Sequence, residues 1–444
     1  MSHAASQAEA ITDTRSSSEV RETYRKIAWR LLPFLFLAYA VNSIDRINIS
    51  FAKLRMAHDL GLSDAAYAFG ATAFFVGYIL FEIPGNLYMQ RVGARATLTR
   101  IMILWGVVTT LTGFVNTPTH LYIARFALGV AEAGFFPGVI LYLTYWFPSW
   151  KRGRVTAIFF MAGFVAGMVS GPLAGAIMTG LEGWQGMKGW QTLFVLEGLP
   201  AVALGAFAWF WLDDNPARVT WLTDRQKAIV VENLRLDQAS RATESQSFGQ
   251  VIRDPRAYIP GIVFFTLYSG TNTVAYWMPS LLQSVGITDL RRIGVIASGP
   301  YVLAMAAMYL LGRSSDRHLE RRWHLAATML TAAASFWLMH VLQADVLLST
   351  LFMTIGAAAC LAAVPLFWTI PPAFFSANAA AGGIALVSSI GSLAAVLSPV
   401  TVGAIKTHTG SLYVAFDVIG CMLLVGTVAL LAGIPAARLH ERQA

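Results

Sequence analysis

The sequence predicts an all-α membrane protein in which twelve transmembrane helices form two pseudo-symmetric six-helix bundles. Three observations carry that prediction. Apolar residues make up 56% of the 444 positions and charged ones only 13%, with a mean hydropathy of +0.58, a balance foreign to a water-soluble surface. Apolar runs close to the roughly twenty residues that cross a hydrocarbon core as helix recur along almost the whole chain. One long polar segment, 213–256, divides those runs into six and six.

The elements follow in order. Short loops rich in Gly, Pro, Lys and Arg put spans 1 to 6 at about 27–51, 65–89, 97–116, 120–147, 154–180 and 190–212. Spans 7 to 12 fall at about 257–284, 293–312, 323–343, 346–370, 378–403 and 411–435. Residues 1–26 are rich in Ser, Ala and Glu and lack an apolar run, so they read as a disordered cytoplasmic tail without a cleavable signal peptide. The bundles then occupy 27–212 and 257–436, and 437–444 reads as a second cytoplasmic tail. Segment 213–256 opens Asp213-Asp214-Asn215-Pro216 and alternates charge through Arg241, the pattern of a cytoplasmic linker with an amphipathic helix around 224–236.

Orientation follows the basic residues. Arg21, Arg25, Lys26 and Arg30 precede span 1, Arg91 and Arg95 follow span 2, Lys151, Arg152 and Arg154 lie between spans 4 and 5, and Arg313, Arg317, Arg321 and Arg322 lie between spans 8 and 9. Those loops share the cytoplasmic side, as do both termini. The net charge of +8 is thus a topology signal and not an affinity for nucleic acid. Two cysteines, Cys360 and Cys421, sit in apolar spans and form no disulfide framework. The eight histidines are scattered without metal-ligand spacing, and no phosphate-binding Gly-Lys-Ser/Thr loop is present. Enzymatic chemistry, a bound metal, a cofactor and ATP-driven pumping are therefore not expected.

Charge inside the spans points to function. Asp45 and Arg46 lie in span 1, Arg125 and Glu132 in span 4, and a charge at mid-bilayer costs roughly 2.5–3.5 kcal/mol on insertion scales. Arg125 and Glu132 are seven residues apart and share a helical face, whereas Asp45 and Arg46 diverge by about a third of a turn. An arginine fork suits a carboxylate and stays charged at physiological pH, so Arg46 and Arg125 read as anion clamps. Asp45 and Glu132 read as proton carriers, released to protonate when a substrate carboxylate takes their arginine. The plain alternative is a set of fixed ion pairs joining spans 1 and 4. Asn272, Tyr276 and Trp277 in span 7, with Phe367 and Trp368 in span 10, can form an aromatic, amide-bearing wall facing the arginines, which would favour a flat aromatic acid. Gly163, Gly167, Gly171 and Gly175 place small residues at one-turn spacing on span 5 for close helix contact.

The halves also echo one another. Gly85-Asn86-Leu87-Tyr88-Met89-Gln90-Arg91-Val92-Gly93-Ala94-Arg95 follows span 2, and Gly312-Arg313-Ser314-Ser315-Asp316-Arg317 follows span 8. Both read as small-residue helix ends passing into a basic turn, the repeat expected of a transporter that rocks two bundles around a midplane site. Arg91, Arg95, Asp316 and Arg317 are the gating residues of that reading, with Glu82 and Glu197 as gate or inter-helix bridges.

The chain resembles the major facilitator superfamily, and within it the anion:cation symporter family, in the branch of permeases for tartrate, phthalate and hydroxyphenylacetate. Ile44-Asp45-Arg46-Ile47-Asn48-Ile49-Ser50, Phe74-Phe75-Val76-Gly77-Tyr78, Phe81-Glu82-Ile83-Pro84, Glu132-Ala133-Gly134-Phe135-Phe136-Pro137-Gly138, Trp146-Phe147-Pro148 and Glu197-Gly198-Leu199-Pro200 carry the resemblance. It implies proton-coupled uptake of a small organic anion by a monomer in the plasma membrane, here a bacterial inner membrane, with lipid as its surroundings. Tyr78 matches a substrate-contacting position, and Ser388 stands in span 11 where the branch often has Asn. An uncoupled facilitator and a symporter of sugar acids are the rival readings.

Overall fold

A computed structural model of the chain describes residues 18–241, 253–318, 320–371 and 380–434. The first half runs α1 Ser18–Leu60, α2 Asp64–Val92, α3 Ala94–Thr112, α4 Pro118–Glu132, α5 Phe135–Thr144, α6 Ser149–Gly180 and α7 Gly189–Trp211. A linker helix, α8 Asp224–Arg241, precedes α9 Tyr258–Ser284, α10 Leu290–His318, α11 Arg322–Val341, α12 Val346–Phe367, α13 Ala380–Thr409 and α14 Leu412–Gly433. With α4 and α5 counted as one broken crossing, the two bundles have six crossings each. Ten crossings among the described residues are long and apolar enough to span a bilayer. The other two are less apolar: α3 carries Arg95 and Arg100 besides its threonines, and α9 buries Thr266, Ser269, Thr271, Asn272 and Thr273.

Several boundaries differ from expectation for physical reasons. Helix α1 begins at Ser18, so 18–26 is not a disordered tail. Its charges alternate with buried Val20, Thr23, Tyr24 and Ile27 at helical spacing, and Tyr24 lies edge-on to Trp150 with ring centroids 5.7 Å apart. The remainder of the first tail and all of 437–444 lie outside the described residues. Span 4 breaks after Glu132, where Gly134 adopts φ 87°, a left-handed conformation suited to glycine, and Pro137 supplies no amide to continue the ladder. Gly85 to Val92 and Gly312 to Arg317 belong to α2 and α10, leaving Gly93 (φ 99°) as the turn after α2.

We call the end where α1 begins the base and the end where it stops the crown. In the first bundle α3 packs on α7, α1 on α6 and α2 on α4; in the second, α9 packs on α13 and α14, and α11 on α12 and α14. Across the divide α6 meets α10, α2 meets α13 and α1 meets α9. Gly167, Gly171 and Gly175 of span 5 act in that seam, whereas Gly163 faces Tyr39 of α1 within its own bundle. A Cβ on Gly171 would stand 2.3 Å from the carbonyl oxygen of Gly294, so the two backbones touch where no side chain intervenes. Further toward the crown, Lys53 Nζ pairs with Asp64 at 2.6 Å and lies 4.0 Å from the Trp277 ring of α9. Tyr67 donates its hydroxyl to the Tyr276 carbonyl at 2.9 Å, and Thr72 donates to Val396 O at 3.0 Å. These contacts draw the crown shut.

At the base the linker is tied to the first bundle. Asp237 of α8 bonds the Ser149 amide at 3.0 Å and the Arg152 guanidinium at 2.7 Å. Asp214 accepts from the Arg95 amide at 2.8 Å, and Arg225 pairs with Glu19 at 2.6 Å.

Candidate functional site

Helices α1, α2 and α4 bring the buried charges together midway through the first bundle. Asp45, Arg125 and Glu132 are fully buried. Arg46 Nε donates to Glu132 Oε2 at 2.7 Å, an ion pair between α1 and the last residue of α4 before the break. Asp45 turns away from it, accepting from Asn48 Nδ2 at 3.0 Å and from the Thr109 hydroxyl of α3 at 2.8 Å. Arg125 is different. None of its three guanidinium nitrogens has a hydrogen-bond partner, and its guanidinium carbon lies 4.8 Å from the centre of the Phe74 ring. The same ring is 5.4 Å from the Arg46 guanidinium, and Tyr78 is 4.8 Å from it.

That asymmetry has chemical content. An unpaired buried cation costs several kcal/mol or more, while a ring face returns about 0.5–2 kcal/mol, so the Phe74 ring offsets only part of the cost of burying Arg125. Arg46 is held by Glu132, although its Nη2 and Glu132 Oε1 lack partners. The two arginines expected to act alike are therefore in different states.

Of the wall expected in the second bundle, Tyr276 comes near the arginines. Tyr276 is buried, edge-on to Phe75 at 5.8 Å, and within electrostatic reach of both Arg125 and Arg46. Phe264 stacks on Phe367 at 4.9 Å and on Tyr268 at 5.3 Å, and meets the edge of half-buried Trp368 at 4.8 Å. Asn272 spends its amide on the Tyr268 carbonyl of its own helix, 2.8 Å away. Trp277 does not join this wall. It is sealed in the crown between Lys53 and Tyr67, the latter edge-on at 5.3 Å, because its position on α9 turns it toward the crown ends of α1 and α2. Ser388 is exposed on α13, its carbonyl accepting from Ser392.

The residues expected at the gate are dispersed. Glu82, half-buried, is within electrostatic reach of Arg46 and belongs with the site. Arg91 and Arg317 are exposed in the last turns of α2 and α10. Arg95 packs on Trp209 at 4.7 Å inside its own bundle, and the Asp316 side chain lies outside the described residues. Sequence reasoning passed over Tyr39, which stacks on Phe159 at 4.5 Å and reaches Arg46, Glu132 and Tyr268 electrostatically. Its spacing of seven from Arg46, two turns on one face, was the available signal. Phe74, four residues before Tyr78, was another. Among the described residues no three His, Cys, Asp or Glu side chains converge as metal ligands.

Residues 35–399 match the family model described as Major Facilitator Superfamily. The chain belongs to the Major Facilitator Superfamily. Over 402 residues it is 39% identical to a Pseudomonas putida protein carrying the name metabolite transport protein NicT, covering 90% of this chain and 92% of that one. An Agrobacterium vitis protein named as a tartrate transporter is 39% identical over 407 residues, 92% of this chain and 90% of its own. This kinship accords with the organic-anion branch of the superfamily. The inward-open structure of the xylose transporter XylE from E. coli superimposes with a TM-score of 0.73 at 15% identity, covering 92% of this chain and 96% of that one, which shows the shared two-bundle fold. The protein is thus a multi-pass membrane transporter of small organic substrates.

Proposed function

We propose that this superfamily member imports a small organic carboxylate together with protons, by alternating access. The observation that carries the reading is Arg125, fully buried with every guanidinium nitrogen unpartnered. A substrate carboxylate docks on Arg125 and competes with Glu132 for the free edge of Arg46. Once Glu132 loses its cation, burial favours its protonated form, so anion and proton load together. The loaded site carries less net charge through the membrane, and the bundles rock about it. Asp45 is the second proton carrier of this scheme, with Glu82, Arg91, Arg95, Asp316 and Arg317 acting at the gate toward the base.

Substrate choice falls to the second bundle. Tyr276, within electrostatic reach of Arg125, and the cluster of Phe264, Tyr268 and Trp368 rings in the same bundle support a flat aromatic acid such as hydroxyphenylacetate or phthalate ahead of tartrate or a sugar acid. Arg91, Arg95, Lys151, Arg152, Arg154, Arg313, Arg317, Arg321 and Arg322 lie at the base, against fewer basic residues at the crown, so the base is cytoplasmic by the positive-inside rule. A bacterial inner membrane and a working monomer complete the reading.

Uptake of labelled hydroxyphenylacetate, phthalate, tartrate and a sugar acid into liposomes holding the purified protein tests it. Accumulation of one acid above equilibrium only under an inward proton gradient is the expected result. Equilibration regardless of the gradient would make this a facilitator and reduce Asp45 and Glu132 to structural roles.

A further inference from the structure

Glu197 lies outside the scheme above, and sequence reasoning made it a bridge near the gate. Both of its carboxyl oxygens are buried without a hydrogen-bond partner, at 5% residue exposure. Its place is set by the crossing of α3 and α7. A Cβ on Gly106 would stand 2.7 Å from Gly198 O, and one on Gly198 would stand 2.4 Å from the Thr110 hydroxyl oxygen. That backbone contact puts Glu197 in the same layer as Thr109, whose hydroxyl holds Asp45. Asn48 is the polar neighbour of Glu197, and Asp45 lies within electrostatic reach.

Asn48 is itself half satisfied. Its Nδ2 donates to Asp45 Oδ1 at 3.0 Å, while its Oδ1 has no partner. An ionised Glu197 has only acceptors to offer that oxygen, whereas a protonated one has a hydroxyl to donate. One proton on Glu197 therefore satisfies two orphaned atoms together. The charged groups around it do not oppose this. Asp45 faces it from α1, and positions 101–112 of α3 and 155–180 of α6, the other helices packed on α7, contain no Asp, Glu, Lys, Arg or His. Arg125 reaches Asp45 and, among the described residues, no cation reaches Glu197, so of these two neighbouring buried acids Glu197 is the one that does not stay charged.

We infer that Glu197, Asn48 and Asp45 form a second proton-binding centre inside the first bundle, built from other atoms than the Arg46–Glu132 pair. It is linked to that pair, because Asp45 lies within electrostatic reach of both Glu132 and Arg125. The proton rests on Glu197, donated to Asn48 Oδ1, and leaves when Asp45 is neutralised by a proton of its own. Its part in transport rests on the proton-coupled reading above; its presence on Glu197 does not.

Infrared difference spectroscopy on the reconstituted full chain, with hydrogen–deuterium exchange, separates the two. The wild type is expected to show an exchange-sensitive protonated-carboxyl band at neutral pH that E197Q lacks, and identical carboxyl regions in the two proteins would overturn the inference. Should E197Q fail to fold, N48A removes the acceptor and keeps the acid. A shifted carboxyl band is then expected, and an unmoved one overturns the assignment. Reversal-potential measurements on E197Q are expected to show the proton-to-anion ratio reduced by a proton with anion affinity retained. A wild-type ratio in E197Q would show a proton that never moves and overturn the coupling role. If the wild type itself shows no gradient-driven uptake, the proposed function fails while the infrared band still decides Glu197.

Discussion

Buried charge is distributed very differently in the two bundles. The first buries Asp45, Arg125, Glu132 and Glu197 inside its crossings, along with Lys53 near the crown. Among the described residues of the second, the buried polar side chains are neutral: Thr266, Ser269, Asn272, Thr273, Thr328, Ser335 and their like. Its His340–Asp417 pair, joining α11 to α14 close to the crown, is about a third exposed. The ion pair at the site, Arg46 with Glu132, and the Asp45 contacts to Thr109 and Asn48 all lie within the first bundle. What crosses the seam, among the described residues, is a ring over an ammonium, ring edges, hydrogen bonds to backbone carbonyls, glycine against backbone, and an exposed hydrogen bond from Arg291 Nε to the Thr179 hydroxyl at 2.8 Å. Such contacts are each worth about 0.5–2 kcal/mol, whereas breaking a buried ion pair costs about 3–5 kcal/mol. A rocking transporter is better served by keeping the expensive pairs on one side of the moving boundary, and this chain does so.

Four measurements break or sharpen that division. Replacing Arg125 by Ala should be the most damaging, weakening carboxylate binding by about 2–5 kcal/mol, roughly 30-fold to several thousand-fold, read by tryptophan fluorescence titration of the purified protein. Arg125→Lys keeps the charge without the fork and should fall between. Unchanged binding in Arg125→Ala would remove the anion site from the first bundle altogether.

Glu132→Gln comes next. It should leave anion exchange within a few-fold of wild type and abolish the roughly tenfold accumulation per pH unit that one coupled proton supplies, read as gradient-driven uptake against counterflow. Persistence of full accumulation would assign coupling elsewhere.

At the seam, Lys53→Met removes the contact with Trp277 and should shift the balance between closed and open crown by about 0.5–2 kcal/mol, seen as a redistribution of distances between spin labels placed on crown loops. An unaltered distribution would mean that other contacts alone hold the crown.

The smallest change is expected from Trp368→Ala in the second bundle, altering the preference between an aromatic acid and tartrate by about 0.5–1.5 kcal/mol with the proton ratio untouched. A changed proton ratio there would contradict the separation of shape from charge.

Local composition made much of this legible. Apolar run length revealed twelve crossings, and the expense of intramembrane charge singled out Asp45, Arg46, Arg125 and Glu132. Composition also misled: the charges of residues 18–26 concealed a helix whose buried face shows only in its periodicity, and the apolar residues on both sides of Gly134 hid the break there. Trp277 read as a site residue because an aromatic side chain signals burial without saying which neighbour buries it. Asn48 and Glu197 drew little notice because their unmet valences exist only relative to each other.

The sequence by itself determined the two-bundle membrane architecture, which loops carry the positive charge, and which residues bear charge into the bilayer, since each depends on run length and residue type. The tertiary structure alone decided that Arg46 is paired with Glu132, 86 positions away, that Arg125 is left without a hydrogen-bond partner, and that Lys53 meets Trp277 across the seam. Those outcomes depend on how far each helix is rotated and how closely neighbours cross, as where Gly106 meets Gly198 and Gly171 meets Gly294, and no single segment encodes the angle at which another will pack against it.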